Sequence, residues 1–226
     1  MSLYLLLNIL TFGTFLLSFD KKVHFYSYFK FLSIGITINM LLFIPWDIWF
    51  THKSYWGFNP TYLIGLDIFN LPIEEWLFFI TVPFSCVFIH YVLKAYFKNP
   101  IQLKFSKSFW KYMSIIIFII GILSYKKMYT FVTFPIAAIV IYYINKKYPN
   151  FTQQFMFTYI IALIPFIIVN GILTGGITPE PIVWYNNEEN FGIRFLTIPI
   201  EDFIYNLLLL VIPTFTTNFL NEKQTR

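Results

Sequence analysis

Seven stretches of this chain have the length and apolarity of membrane-crossing helices: about 2–19, 29–46, 74–97, 110–124, 128–144, 153–172 and 199–219. A bilayer core of about 30 Å calls for about 20 apolar residues per helical crossing. Backbone polar groups left unpaired in lipid are costly, so each run reads as a helix. Composition agrees. Hydrophobic residues make up 58% and charged residues only 12%, whereas soluble proteins carry about a quarter charged residues. Such a chain has too little polar surface to cover a water-facing exterior. The first run, Met1 to Phe19, lacks a basic leader and an Ala-x-Ala-like exit, and reads as a retained helix. The expected fold class is therefore an all-α membrane protein of about seven transmembrane helices.

Several function classes drop out at this point. Cys86 is the single cysteine and sits inside an apolar run, so no disulfide framework and no cysteine-based metal site is expected. His24, His52 and His90 are scattered, no His-x-x-x-His or acidic metal-ligand spacing occurs, and no metal is expected. The net charge of +5 does not indicate a nucleic-acid partner. Its Lys residues lie in short loops between spans, which is the pattern of membrane orientation.

Two long connections, Asp47 to Ile73 and Leu173 to Ile198, are rich in Trp, Tyr, Asn, Gly and Pro. They end in nearly the same words, Leu71-Pro72-Ile73-Glu74-Glu75 and Ile198-Pro199-Ile200-Glu201-Asp202, and each phrase opens a membrane helix. The order of two helices, a long aromatic loop and an acid-headed helix thus occurs twice. This predicts a first repeat over 1–97, a linker with one helix over 98–127, and a second repeat over 128–226. Two three-helix units joined directly would be inverted relative to each other. The odd crossing between them makes them parallel and brings both acidic phrases to one membrane face. Twelve of the sixteen Lys and Arg residues fall on the opposite face; Lys53, Lys126, Lys127 and Arg194 are the exceptions. The positive-inside bias then puts the C-terminus in the cytoplasm and the acidic phrases toward the outer face of the cell membrane.

A single Pro-Ile-Glu-Glu phrase would be ordinary helix-start grammar, since Pro favours the first turn and acids complement its positive end. Two copies, each with a pair of acids beside a long apolar helix, exceed what helix starts need. Charges in such places are expensive unless paired or solvated. Four carboxyls gathered at one bundle mouth cannot all ionise comfortably, and a retained proton makes a general acid. Glu74, Glu75, Glu201 and Asp202 are the candidate catalytic residues, and which acid of each pair donates the proton stays open. Aromatic residues surround them: Trp76, Phe78 and Phe79 after the first pair, Phe203 and Tyr205 after the second, with Trp46, Trp49, Trp56, Trp184 and Tyr185 in or beside the loops. Each alone fits an interfacial belt. Together they form a lining that tolerates a carbocation, through the negative faces of their rings. Protonating an apolar alkene calls for such a combination.

Among the remaining polar residues, Asn39 and Asn170 fall inside spans two and six, in what read as corresponding positions, and suit helix bridging and a site equally. Asp47 follows Trp46 at the mouth of span two, as a loop cap or as part of the acid cluster. Arg194, close before the second phrase, is the expected counter-charge for one carboxylate.

With these phrases in place, the chain resembles the small integral-membrane lycopene cyclases of the heterodimer-derived type. The likeness rests on Pro45-Trp46-Asp47, Trp56-Gly57-Phe58-Asn59-Pro60 and the first acidic phrase, then on Val169-Asn170-Gly171-Ile172-Leu173-Thr174-Gly175, Trp184-Tyr185-Asn186 and the second. It covers nearly the whole chain and is weakest across 98–150. The resemblance implies lycopene and its monocyclic product as substrates, with the two acidic phrases as the functional centre. The implied chemistry is a redox-neutral, isomerase-type closure of each end to a β-ionone ring. Substrate contacts are then expected from Trp46, Asp47, Asn39, Asn170, Trp76, Phe78, Tyr185, Arg194 and Tyr205. No dinucleotide-binding Gly-x-Gly-x-x-Gly occurs, so no flavin or other cofactor is expected.

Rival readings differ in what they need. A related carotenoid hydratase, or a cyclase making another ring, shares the protonation step and differs in how the cation is quenched. A proton-coupled transporter also uses intramembrane acids, but more naturally at mid-membrane than at two helix starts. A retinal protein needs a helical Lys, absent from Pro199 to Phe219, and a prenyltransferase needs Asp-rich magnesium phrases, absent altogether. Neither ring type nor oligomeric state is legible here.

Overall fold

In a computed structural model, which describes residues 2–97 and 106–224, the chain is an all-helical membrane bundle with folded loops at one end. Its helices are α1 (Leu3–Phe12), α2 (Thr14–Leu17), α3 (Phe29–His52), α4 (Ile73–Tyr96), α5 (Ser106–Leu123), α6 (Met128–Lys147), α7 (Pro149–Leu173) and α8 (Ile200–Gln224). By length and apolarity α4, α6, α7, α8 and α3 with its preceding turn can each cross a membrane. α1 and α2 form one shorter apolar segment over Leu3–Leu17. α5 runs the height of the bundle: its start is tied to α7 by Trp110 Nε1 donating to the Thr152 carbonyl, and its far end turns directly into α6. The head of the expected linker, 98–105, with Lys98 and Lys104, lies outside the described residues.

Each of α3, α4, α6, α7 and α8 has one internal proline: Pro45, Pro83, Pro135, Pro165 and Pro213. Proline removes one helical hydrogen bond and kinks the helix, yet in lipid ending a helix would leave more groups unpaired. That balance corrects one boundary. The second span was expected to stop near residue 46, but α3 continues through Pro45 to His52. Trp46 and Asp47 are therefore helical residues facing the bundle, and Asp47 is no loop cap.

The two long loops fold alike, at the same end of the bundle. From Trp56 to Glu75 every residue has a counterpart 127 positions later, so that Gly65 matches Gly192 and Glu74 matches Glu201. Each loop ends in a two-residue hairpin, β2 (Asp67–Ile68) with β3 (Leu71–Pro72), and β5 (Arg194–Phe195) with β6 (Ile198–Pro199). The matched turn residues Phe69 and Leu196 both have left-handed backbones, at φ 59° and 57°. Gly65 and Gly192, at φ 86° and 69°, supply the freedom needed just before each hairpin.

The loops also join each other. β1 (Trp56–Phe58) pairs antiparallel with β4 (Val183–Tyr185), Trp56 opposite Tyr185, Gly57 opposite Trp184 and Phe58 opposite Val183. Gly57 and Trp184 are themselves counterparts at the 127-residue offset, so the pairing has two-fold symmetry about them. A Cβ at Gly57 would overlap the Trp184 indole, which explains the glycine. The two loops thus meet face to face across this pairing, while α5 packs chiefly on α6.

Candidate functional site

Pro72 and Pro199 precede the first turns of α4 and α8, and all four acids of those turns are buried. Successive residues on a helix point about 100° apart, so the two members of a pair face different surroundings. Glu74 Oε1 accepts from Ser2 Oγ at 2.7 Å and from the Ile64 amide at 2.7 Å. Its counterpart repeats this: Glu201 Oε1 accepts from Thr130 Oγ1 at 2.8 Å and from the Phe191 amide at 2.8 Å. Each first acid ties the long loop to the first helix of its own half.

The second acids face inward. Glu75 accepts from the Tyr4 hydroxyl, and Asp202 from the Tyr129 hydroxyl at 2.7 Å. Asp202 takes two more donors on its other oxygen, Asn170 Nδ2 at 2.7 Å and the Tyr185 hydroxyl at 2.9 Å. Asp47, from α3, accepts from the Trp56 indole and from Thr51 Oγ1 at 3.3 Å. The Asp47 and Glu75 carboxyls line the same cavity, and Asp47 Oδ2 has no hydrogen-bond partner among the described residues. Burial first, then the neighbouring Asp202 carboxylate, pushes the Tyr185 hydroxyl well above the ordinary phenol range, which keeps it a donor.

Asp47, Glu75 and Asp202 converge on one cavity of about 60 Å³. Its walls are aromatic: Trp56, Tyr129 and Tyr205 meet with ring centroids 5.1–6.3 Å apart, and Tyr129 stacks on Tyr185 at 5.8 Å. Phe78 and Phe166 line it as well. The chamber has the Asp47 and Glu75 carboxyls on one wall, Asp202 held by three donors on another, and ring faces between.

Of the residues singled out from the sequence, Glu75, Asp202, Asp47, Asn170, Phe78, Tyr185 and Tyr205 line the cavity. Glu74 and Glu201 do not; they sit behind it in their loop anchors. Trp46 packs against Phe43 and Tyr205, one layer out. Trp76 lies outside, against Phe69, with its indole donating to the Ile68 carbonyl at 3.4 Å. Arg194 bonds the Thr197 carbonyl and Asn187 Oδ1 and reaches over the Tyr185 ring, so its partners are not the acids of the motif. Asn39 and Asn170 are not equivalents: the 127-residue offset matches Asn170 with Phe43, and Asn39 lies one helical turn deeper, away from the cavity. The sequence reading passed over Tyr4 and Tyr129. Their signal was a tyrosine near the start of the first helix in each half.

Comparison with known proteins bears directly on this arrangement. The family model described as Lycopene cyclase matches residues 1–93 and 126–220, the two stretches that each carry one acidic phrase. The chain belongs to the lycopene cyclase family. The match omits 94–125, which contains the whole of α5, so family membership follows the two halves and not their connection. Among curated relatives, a bifunctional lycopene cyclase/phytoene synthase of Podospora anserina is 29% identical over 75 residues, 32% of this chain and 13% of that protein. One of Gibberella fujikuroi is 29% identical over 75 residues, covering 33% and 13%, and one of Aspergillus niger is 40% identical over 48 residues, covering 21% and 8%. The matched stretch is thus a small part of these longer proteins. No solved structure matches the chain significantly.

Proposed function

We propose that this protein is a lycopene β-cyclase that closes the ψ-ends of lycopene to β-ionone rings, by way of γ-carotene to β-carotene, without net oxidation or reduction. The convergence of Asp47, Glu75 and Asp202 on one aromatic-walled cavity carries this reading. A protonated carboxyl on the wall formed by Asp47 and Glu75 gives its proton to the terminal double bond. The next double bond attacks the resulting tertiary cation and closes a six-membered ring, moving the positive charge to the adjacent ring carbon. Asp202 then takes the proton from the carbon that made the attack, leaving the β-ring double bond. One proton enters and one leaves, so substrate and product have the same formula. Asp202 suits the base because its three donors stabilise the charged form. Ring faces of Trp56, Tyr129 and Tyr205 stabilise the cation in transit, through their quadrupoles in a site closed to water.

Glu74 and Glu201 are positioning residues under this assignment, since they hold the loops that shape the chamber. The chain works as two repeats, 1–97 and 128–226, that complete one site between them. It lies in the cell membrane with its C-terminus cytoplasmic and the site toward the outer face, in contact with lipid and with lycopene or the monocyclic carotene. The test is expression in lycopene-accumulating cells followed by chromatography of the carotenoids. β-Carotene with transient γ-carotene is the expected product. A hydroxylated product or another ring type would assign a different quench to the same cation, and unchanged lycopene would refute the reading.

A further inference from the structure

The two halves of the bundle are related by symmetry, but the clefts between them are not alike. On one side α3 lies directly on α8, so closely that a Cβ on Gly35 would stand 3.0 Å from the backbone of Pro213. On the other side α4 and α7 stand apart, and a groove of about 360 Å³ opens between them, flanked by α1. Its surface is hydrocarbon, from residues such as Val82, Ile89 and Val169. Two of the hydroxyls along it are already committed: Ser85 bonds the Thr11 carbonyl at 2.7 Å and meets Thr14 Oγ1 at 2.9 Å. The groove therefore offers a ligand apolar contact and little else. At its inner end Phe78, Phe166, Asn170 and Asn206 line both the groove and the acid cavity, forming a shared neck. Along α4 it runs from Phe78 to Ile89, about 16 Å at 1.5 Å per residue.

We infer that this groove seats the polyene of the acyclic substrate, which enters sideways from the lipid and lies along α4 with one end through the neck into the acid cavity. The inference rests on the cyclase reading and adds to it a route and an orientation. A linear hydrocarbon fits because the groove is narrow, apolar, open to lipid and continuous with the reacting chamber. With the opposite cleft closed by Gly35 and Pro213, one molecule presents one end at a time. It must withdraw and turn round before its second end can react.

The test uses substrate length. Val82 lies near the neck and Ile89 at the far end of the groove, so a shortened acyclic fragment with a single ψ-end reaches past the first and not the second. In vesicles, Ile89→Trp is expected to lower lycopene conversion about tenfold while leaving the short fragment unaffected. Val82→Trp should impair both substrates. Ile89→Phe, a milder filling, should show the same selectivity to a smaller degree. Equal effects of Ile89→Trp and Ile89→Phe on both substrates, or normal lycopene conversion by Ile89→Trp, would overturn the seat and leave the cyclase reading standing. Failure of the unsubstituted protein to convert either substrate would remove the cyclase reading and the seat with it.

Discussion

Glu201 and Asp202 are neighbours in sequence but should fail in different ways when neutralised. In Asp202→Asn the amide oxygen can keep the bonds from Asn170 and Tyr185, while the amide NH₂ faces the Tyr129 hydroxyl, which turns to accept. Three hydrogen bonds to a charged group become neutral ones, a loss of about 1 kcal/mol each. No longer burying a charge returns an amount of the same order, so the variant should remain folded. The chemistry loses its proton acceptor, and general acid–base groups contribute about 10²- to 10⁴-fold, or about 3–5 kcal/mol of barrier. In Glu201→Gln the amide oxygen keeps both bonds at Oε1, and the NH₂ occupies the position of Oε2, which has no hydrogen-bond partner among the described residues. That change weakens two bonds by about 1 kcal/mol each, no longer burying a charge returns an amount of the same order, and the cavity wall is left untouched. The assay is lycopene conversion in vesicles by each purified variant, alongside its thermal unfolding in detergent. Both variants should melt near the unsubstituted protein; Asp202→Asn should be nearly inactive, and Glu201→Gln should keep its rate within about threefold. A folded Glu201→Gln as inactive as Asp202→Asn would refute the division of labour between the two acids.

Four further outcomes follow from the same geometry. Tyr185→Phe removes one of the three donors to Asp202 and should slow turnover about tenfold. Because the Tyr185 hydroxyl is pushed above the phenol value of about 10, the stability this contributes is fully present below that unfolded value and is lost progressively as pH rises from there through the raised value; unfolding measured between neutral pH and the ordinary phenol value should show no Tyr185-dependent slope. Conversion in purified vesicles should proceed without added flavin, nucleotide or divalent metal, and an absolute requirement for any of these would contradict the acid–base scheme. Glu75→Gln and Asp202→Asn, made separately, should each leave lycopene unconverted; accumulation of γ-carotene at the normal initial rate by either variant would show two independent sites.

Much of the bundle was legible because lipid imposes a simple rule on sequence. Apolar runs of bilayer length had to be helices, and the seven expected segments correspond to the observed ones within a few residues, α1 and α2 counting as one. Where the reading slipped, the cause was tertiary. The second span was expected to stop near residue 46, yet α3 continues to His52 and carries Asp47 into the site. The strand pairs of two and three residues in the loops are too short to show alternation. The acid pairs were visible as words, but which member faces the cavity depends on how α4 and α8 are rotated, and packing decides that. Asn39 and Asn170 were matched by their depth in the spans, whereas the loop residues give a register in which Asn170 answers to Phe43. Arg194 looked like a counter-charge from proximity in sequence alone; the hairpin of β5 and β6 turns it toward Thr197 and Asn187.

The duplication also explains how one cavity acquires both an acid and a base. At the 127-residue offset Glu75 and Asp202 are counterparts, and each accepts from a tyrosine on the first helix of its half. A symmetric site would give both carboxyls the same environment and therefore the same protonation. Two substitutions between the halves break that equality. Asp47 corresponds to Thr174, so Glu75 meets a second carboxyl, whereas Thr174 is turned away into bonds with the Asn170 carbonyl and Thr197. Phe58 corresponds to Tyr185, so Asp202 gains a hydroxyl donor where Glu75 faces only a phenyl ring. A second carboxyl beside Glu75 favours its keeping a proton, and the three donors around Asp202 favour its charged form. Pairs of carboxyls whose surroundings differ in this way separate into proton giver and proton taker. The two-fold pairing of β1 with β4 sets them across one chamber, where a proton supplied at one wall can be recovered at the other.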